Sequence, residues 1–478
     1  MIAPRYAFHF DSRACSGCKA CQVACKDKHG LEVGRNWRRV YEVSGGGWQR
    51  RGEAWVSDVF AFHLSISCNH CEAPICAEVC PALALQQRED GIVLLDAEKC
   101  IGCRYCEWAC PYGSPQYDAA RGVMSKCTFC ADELDAGRPP VCVSACPLRV
   151  LEFGEQYENG AAEQAATQAP LPDRRLTDPA LVLSEHRDAQ RALEAEIEVI
   201  PRQRHELHEW SLVAFTLLCH LAAGSVMVLG GLRLLAAGTA IDLPPRLDAA
   251  VWILASATTL LALALSLRHL GSPGRAYRAV LNVRSSWLSR EILATITFGA
   301  LCVAASVLNV RTESTSFALI LTLWLGSLCA LTLVLVISMV YRLRTVPAWN
   351  SARTPLSFLC TSWLMGTLAV AISHGALSGD PGLQRRLAGG AIAFVALRRA
   401  VSAVVDLSNS APHRRAWLPG ALLASSGVVL LGILVAPLFT SQDRTRDMLL
   451  LLLAGALVLT AEIVERHRFF KSYVRSGV

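Results

Sequence analysis

Residues 100 to 117 read CIGCRYCEWACPYGSPQY, four cysteines within eleven residues followed at once by a proline. A thiolate is a soft anionic ligand, and four of them this close suit an iron–sulfur cube or a soft metal ion. The arrangement occurs four times before residue 150. Cys15, Cys18, Cys21 and Cys25 follow C-x2-C-x2-C-x3-C, and Cys100, Cys103, Cys106 and Cys110 repeat it. Cys68, Cys71, Cys76 and Cys80 widen one gap to four residues, and Cys127, Cys130, Cys142 and Cys146 widen it to eleven. Three groups end in Cys-Pro, at Pro81, Pro111 and Pro147, whereas the first continues with Lys26. In this spacing three close thiolates wrap one cubane and the fourth reaches a neighbouring one, so sixteen ligands predict four [4Fe-4S] clusters. Two plainer readings fit worse. A disulfide framework belongs to short secreted chains and does not repeat one tight spacing four times, and three cysteines within seven residues crowd a single tetrahedral zinc.

Short elements must position these loops. A helical turn between cysteines is stopped by the proline that follows, since Pro111 cannot continue a ladder. Between the first two groups, VYEVSGGGWQRRGEAWVSDVFAFHLSI reads as alternating strands about a turn at Gly45-Gly46-Gly47. Lys99 and Arg104 beside the third group are candidates for tuning cluster potentials. Residues 158–205 form a connector: AAEQAATQAPLPDRRLTDPALVL is expected as an extended strap and SEHRDAQRALEAEIEVI as an exposed helix.

Beyond residue 210 the chain changes solvent. Apolar stretches at 211–232, 249–267, 292–310, 317–340, 356–373, 387–405, 418–438 and 448–464 are each near the ~20 residues that cross a hydrocarbon core, which predicts eight spans. The sixth is weakest because Arg398 and Arg399 interrupt it. With eight spans, the side holding both termini carries eighteen Lys and Arg near the helix ends against seven opposite, which puts the cysteine-rich domain in the cytoplasm, at the inner membrane. MIAPRYAFHF shows no cleavable signal, in keeping with thiols made in a reducing compartment. A net charge of +6, mostly arginine flanking apolar runs, makes no case for nucleic acid. Cys219, Cys302, Cys329 and Cys360 stand singly and read as small packing residues. The fold class expected is an α+β tandem ferredoxin-like four-cluster domain over 1–157, followed by an all-α membrane domain of about eight helices over 206–478.

The runs YAFHFDSRACSGCKACQVACKDKHGL, FAFHLSISCNHCEAPIC, CIGCRYCEWACPYGSPQY and CVSACPLRVLEFG closely resemble the iron–sulfur subunit of dimethyl sulfoxide reductase-type molybdenum enzymes. That resemblance implies crossed ligand sets: Cys15, Cys18, Cys21 with Cys146; Cys127, Cys130, Cys142 with Cys25; Cys68, Cys71, Cys76 with Cys110; and Cys100, Cys103, Cys106 with Cys80. Some nitrate-reducing relatives have tryptophan at the position of Cys103 and a [3Fe-4S] cluster there; a cysteine implies a full cubane, the one nearest the membrane. LRHLGSPGRAYRAVLNVRSSWLSREIL and AEIVERHRFF are similar to the membrane-anchor subunit of the same enzymes. The implied activity is electron transfer between membrane quinone or quinol and a separate catalytic subunit holding a molybdopterin cofactor.

Two electrons and two protons move at a quinone, so an ionisable group is needed near each oxygen. Glu291 and His269 are the first candidates, with Arg275, Arg290 and Ser289 to hold the headgroup or keep Glu291 ionised. Glu462, Glu465 and Asp406 are expected to pair with arginines at the membrane surface. A bis-histidine haem would have to use His220 and His374, and none is expected. Two directions of flow remain open: a cytoplasm-facing complex oxidising sulfite or a similar donor into the quinone pool, or one reducing an S- or N-oxide with quinol. A redox-driven ion transporter is the reading from another class, and it would want charges midway through several spans.

Overall fold

The computed structural model describes residues 5–155, 171–194, 210–237, 246–311, 317–377 and 444–473, with a few isolated positions between them. Alternation in YAFHFD makes β1 (Tyr6–Asp11) and sends Ala7, Phe8 and Phe10 into a core. This strand is the middle of a three-stranded sheet, antiparallel to β10 (Leu151–Glu155) and parallel to β11 (Leu181–Ser184). The pairing closes the chain on itself and carries the fourth cysteine group back beside the first. Strands β2 (Arg39–Gly45) and β5 (Phe60–Ile66) pair antiparallel, and a hairpin of β3 (Trp48–Arg51) and β4 (Ala54–Ser57) leaves their end.

The turn expected at Gly45-Gly46-Gly47 lies instead at Gly52, where φ is +66°. The three glycines form the bend from which the hairpin departs: Gly47 N donates to Asp58 Oδ1 at 2.6 Å and Asp58 N to Gly47 O at 3.0 Å. Two further hairpins, β6 (Leu85–Gln87) with β7 (Val93–Leu95) and β8 (Gln116–Asp118) with β9 (Val123–Ser125), follow the second and third cysteine groups. The helical turns beside the cysteines are α1 (Ala20–Lys28), α2 (Ile75–Glu78), α3 (Tyr105–Ala109), α4 (Ala131–Asp135) and α5 (Val141–Ser144). As the proline requires, α3 gives way to extended backbone at Cys110.

The expected boundary at residue 157 falls inside this fold, because β11 completes the sheet of β1 and Ala189 and Ala192 of α6 (Ala189–Glu194) are buried. Alternating LVLS offers β1 a free edge partner, so this part of the connector folds down rather than straying; residues 156–170 and 195–209 lie outside the described residues.

Among the described residues six long helices follow: α7 (Trp210–Ala237), α8 (Arg246–Leu267), α9 (Trp287–Arg311), α10 (Phe317–Val340), α11 (Arg353–Leu377) and α12 (Arg444–Lys471). All six are long and apolar enough to cross a membrane. The most buried is α7, packed against α8, α10 and α11. Of the eight expected spans, 387–405 and 418–438 fall almost wholly outside the described residues.

The connection from α8 to α9 grips the backbone of the cysteine-rich half. Ser272 N donates to Ile101 O at 3.1 Å, Asn282 Nδ2 to Cys80 O at 2.9 Å and Ser286 Oγ to Val79 O at 2.8 Å. Thr345 Oγ1 donates to Ala109 O at 2.9 Å, and the Tyr473 hydroxyl to Trp108 O at 3.1 Å. At the closest point three glycines interlock: a Cβ on Gly271 would sit 2.2 Å from Gly122 O, and one on Gly102 would sit 2.3 Å from the same oxygen. Neither position tolerates a side chain without backbone movement, so Gly271→Val is expected to destabilise the docked protein by about 1–3 kcal/mol. A lower thermal inactivation temperature would show this; an unchanged one would mean that the junction yields freely.

Candidate functional site

Each cysteine group bends its backbone the same way. The residue before the second cysteine has positive φ in all four: Gly17 at +69°, His70 at +42°, Gly102 at +70° and Phe129 at +59°. Such a left-handed residue turns successive N–H groups toward one concavity, an anion-binding nest common at iron–sulfur sites. Amides accordingly point at sulfur, Ala84 N to Cys80 at 3.3 Å, Met124 N to Cys100 at 3.4 Å and Phe129 N to Cys127 at 3.4 Å. Glycine adopts this conformation without cost, whereas His70 and Phe129 hold it against steric preference. Packing holds them there: the Phe129 ring stacks 4.1 Å from that of Phe8, and His70 Nδ1 accepts from Val93 N at 3.0 Å. Nothing in the sequence marks these two residues for the role.

Sulfurs from separate groups meet in pockets. Cys15, Cys18, Cys21 and Cys146 line one with Phe10 and Val40. Another is lined by Cys68, Cys71, Cys76 and Cys110 with Tyr112, Lys126 and Thr177. Cys25 lies in the electrostatic field of Cys142 and Cys130, and Cys127 in that of Cys25, Cys68 and Cys142. Cys103 and Cys106 lie in the field of Cys80 and Cys100.

The donor set, soft thiolates in fours, fits iron–sulfur cubes. Among the described residues no group of three or more Cys, His, Asp or Glu is spaced to hold a single ion. Burial pushes the Cys25 thiol up to about 12, with Cys142 adding to it, and does the same to Cys103 with Cys80. Thiols buried in this way stay protonated unless a metal centre binds their thiolates.

Glu291, one turn into α9, is 3 % exposed, and Ser289 is fully buried. Among the described residues neither Glu291 Oε1 nor Ser289 Oγ has a hydrogen-bond partner. Glu291 lies within electrostatic reach of Tyr105, Tyr341 and Cys219, and Tyr105 within reach of Cys103 as well. Sequence reasoning passed over Tyr105, although its place between Cys103 and Cys106 was visible. His269 reaches the same segment from another direction, its ring against the Cys103 backbone; burial, with Arg104 adding, pulls it down to about 4. It is therefore neutral at cellular pH and can donate one hydrogen bond while accepting another.

The expected arginine support of Glu291 is not seen among the described residues. Arg275 donates to Ala97 O at 2.7 Å and Glu98 Oε2 at 3.0 Å, clamping the cysteine-rich half. Arg290 donates to Val283 O and Arg284 O and stacks over Trp287. Arg275 is thus bonded to the cysteine-rich half and Arg290 to carbonyls of the turn just before α9. Of the two proposed tuning residues, Lys99 pairs with Asp96 at the surface and Arg104 stacks 3.7 Å over the Tyr117 ring.

Glu462, expected at the membrane surface, is buried in the bundle and accepts from Thr361 Oγ1 at 2.9 Å, while the buried Arg466 lies 3.8 Å over the Phe358 ring. Their four-residue spacing, about one helical turn, puts both on the inner face of α12. Glu465 is half-buried, and Asp406 lies outside the described residues. His220 Nδ1 shares a 2.6 Å hydrogen bond with Ser362 Oγ, and His374 sits twelve residues further along the same helix as Ser362, roughly 18 Å by helical rise.

Comparison with known proteins assigns both halves. Residues 59–156 match a family described as 4Fe-4S dicluster domain, and residues 204–471 match one described as DMSO reductase anchor subunit (DmsC). Over 184 residues the sequence is 48 % identical to the B polypeptide of the anaerobic dimethyl sulfoxide reductase of Escherichia coli, a match spanning 38 % of this protein and 89 % of that one. It is 39 % identical over 173 residues to the formate dehydrogenase iron-sulfur subunit of Wolinella succinogenes (32 % and 82 %), and 40 % identical over 169 residues to the B polypeptide of the sulfite dehydrogenase of Allochromatium vinosum (32 % and 69 %).

Proposed function

Because this protein belongs to the DMSO reductase anchor subunit (DmsC) family through residues 204–471, and carries ahead of it the iron–sulfur electron-transfer half of an oxidoreductase complex, we propose that it moves electrons between membrane quinone and a separate molybdopterin-bearing catalytic subunit through four [4Fe-4S] clusters. When bound, each cluster supplies a centre that takes up and releases single electrons. The residues that would hold them are Cys15, Cys18, Cys21 and Cys146; Cys25, Cys127, Cys130 and Cys142; Cys68, Cys71, Cys76 and Cys110; and Cys80, Cys100, Cys103 and Cys106.

Quinone is the substrate at the helix ends. The Glu291 carboxylate holds or releases a proton as a quinone oxygen gains or loses charge, Ser289 Oγ donates to the headgroup, and His269 orients or protonates the other oxygen. One observation carries this reading: at one helix end two buried polar atoms, Glu291 Oε1 and Ser289 Oγ, have no partner among the described residues, and the carboxylate lies within electrostatic reach of Tyr105. Leaving such groups unpaired costs roughly 1–3 kcal/mol each, which a bound headgroup would offset. Arg275 and Arg290 take the lesser role of fixing the helix ends around it.

The names of the relatives support electron flow from quinol toward reduction of an S- or N-oxide by the partner. Sulfite oxidation into the quinone pool is the second reading, favoured by the likeness to a sulfite dehydrogenase component. The excess of positive charge at one set of helix ends supports a cluster domain facing the cytoplasm at the cytoplasmic membrane.

Two measurements test these points. Iron and acid-labile sulfide in the purified protein should amount to four clusters, and zinc in their place would overturn the reading. A reporter fused after Val478 should be active in the cytoplasm; periplasmic activity would reverse the orientation.

A further inference from the structure

Arg38, immediately before β2, is 2 % exposed. Its fork bonds two hydroxyls, Nη1 donating to Ser65 Oγ at 3.2 Å and Nη2 to Ser67 Oγ at 2.9 Å, and its guanidinium carbon lies 4.3 Å from the centre of the Phe8 ring. Among the described residues Nε has no acceptor and no carboxylate pairs with the group. Arginine keeps its charge inside a protein, and a buried charge is heavily penalised unless an opposite one lies near. Hydroxyl dipoles alone do not balance it.

Four sulfurs lie within electrostatic reach of the guanidinium, those of Cys21 and Cys25 on α1, Cys127 in the loop ahead of α4 and Cys142 on α5. Two links tie Arg38 to the α1 pair. Ser65 Oγ, which accepts from Arg38, lies 3.5 Å from Cys21 Sγ, and the Arg38 backbone amide donates to Cys25. Cys21 belongs to one proposed ligand set and Cys25, Cys127 and Cys142 to another, so the cation stands where two sets meet.

We propose that Arg38 is the shared counter-charge of the two clusters held through Cys21 and through Cys25, and that it raises the reduction potential of both. The inference rests on the four-cluster reading above. Reduction adds one electron to an already anionic centre, and a fixed positive charge in a low-dielectric interior favours the more negative state. Arg38 touches no substrate; it is a positioning residue for charge.

Potentiometric EPR on the purified complex tests it, with Arg38→Met, Arg38→Gln and Arg38→Lys. Both neutral variants should lower two of the four midpoints, with the reduced-to-oxidised ratio falling about tenfold at the wild-type midpoint, equivalent to ~59 mV for one electron. The other two midpoints should stay in place, and lysine should restore most of the shift. Should the neutral variants lose the two clusters altogether while lysine keeps all four, the charge requirement stands, because charge is what separates them. Full iron content with unmoved midpoints in either neutral variant would overturn the proposal, as would loss of clusters in the lysine variant too. A wild-type complex without four clusters would sink the underlying reading and this one with it, whereas four clusters with unmoved midpoints sinks this one alone.

Discussion

Replacing Glu291 by glutamine leaves turnover with an artificial dye donor intact and cuts turnover with quinone by roughly 10²- to 10⁴-fold, the range that one general acid–base group contributes. The dye exchanges electrons directly with the clusters or the catalytic subunit, so it bypasses the helix ends where Glu291 sits. Glutamine keeps the size and hydrogen-bonding capacity of the side chain and removes the proton it would pass on. The substitution therefore separates chemistry from packing, and Glu291→Asp should recover part of the loss. Ser289→Ala removes one hydrogen bond to the headgroup and is expected to cost about tenfold, near the ~1.4 kcal/mol of a single good contact. Steady-state rates with a soluble quinol analogue, set against dye rates on the same sample, decide it. Equal quinone rates in Glu291→Gln and wild type would remove this carboxylate from the proton path.

Single cysteine replacements should behave according to the pocket each sulfur faces, not according to sequence position. Cys21→Ser and Cys146→Ser, 125 residues apart, should abolish the same EPR signal, since both side chains line one pocket with Cys15 and Cys18. Cys25→Ser, only four residues from Cys21 on the same helix, should abolish a different signal, the one also lost in Cys142→Ser. Each change breaks the series of electron carriers, so turnover with quinone should drop to background in all four variants. Loss of one common signal from Cys21→Ser and Cys25→Ser would mean that each contiguous group closes on its own cluster.

The local part of this arrangement was legible in the sequence, because three cysteines at spacing two and a following proline permit few backbone paths. That a fourth thiolate crosses over followed from spacing, whereas which groups exchange it came from resemblance. For the first and fourth groups it depends on β1 pairing with β10, a long-range closure that no local pattern in YAFHFD announces. Gly45-Gly46-Gly47 misled for a related reason: glycine marks where backbone is free to bend, and which bend becomes the hairpin turn was decided by the pairing of Arg51 with Ala54. Glu462 was read as a surface charge from the arginines near it in sequence, whereas the inner face of α12 and Thr361 on a neighbouring helix settle its place. Composition does not carry that kind of information. Arg275 bonds the cysteine-rich half instead of Glu291, through two carbonyls and the Glu98 carboxylate that lie 175 or more residues away in the sequence.

The glycine interlock at Gly102, Gly122 and Gly271 has a consequence for how such a machine can fail. Two separate polypeptides joined at such a junction could part on dilution, and losing the junction would mean losing a subunit. Here a covalent tether keeps both partners on one polypeptide, so the second contact is always an intramolecular one. A worn clasp would then leave the stoichiometry untouched and show itself only as a stutter in electron arrival, visible to rapid kinetics and invisible on a gel.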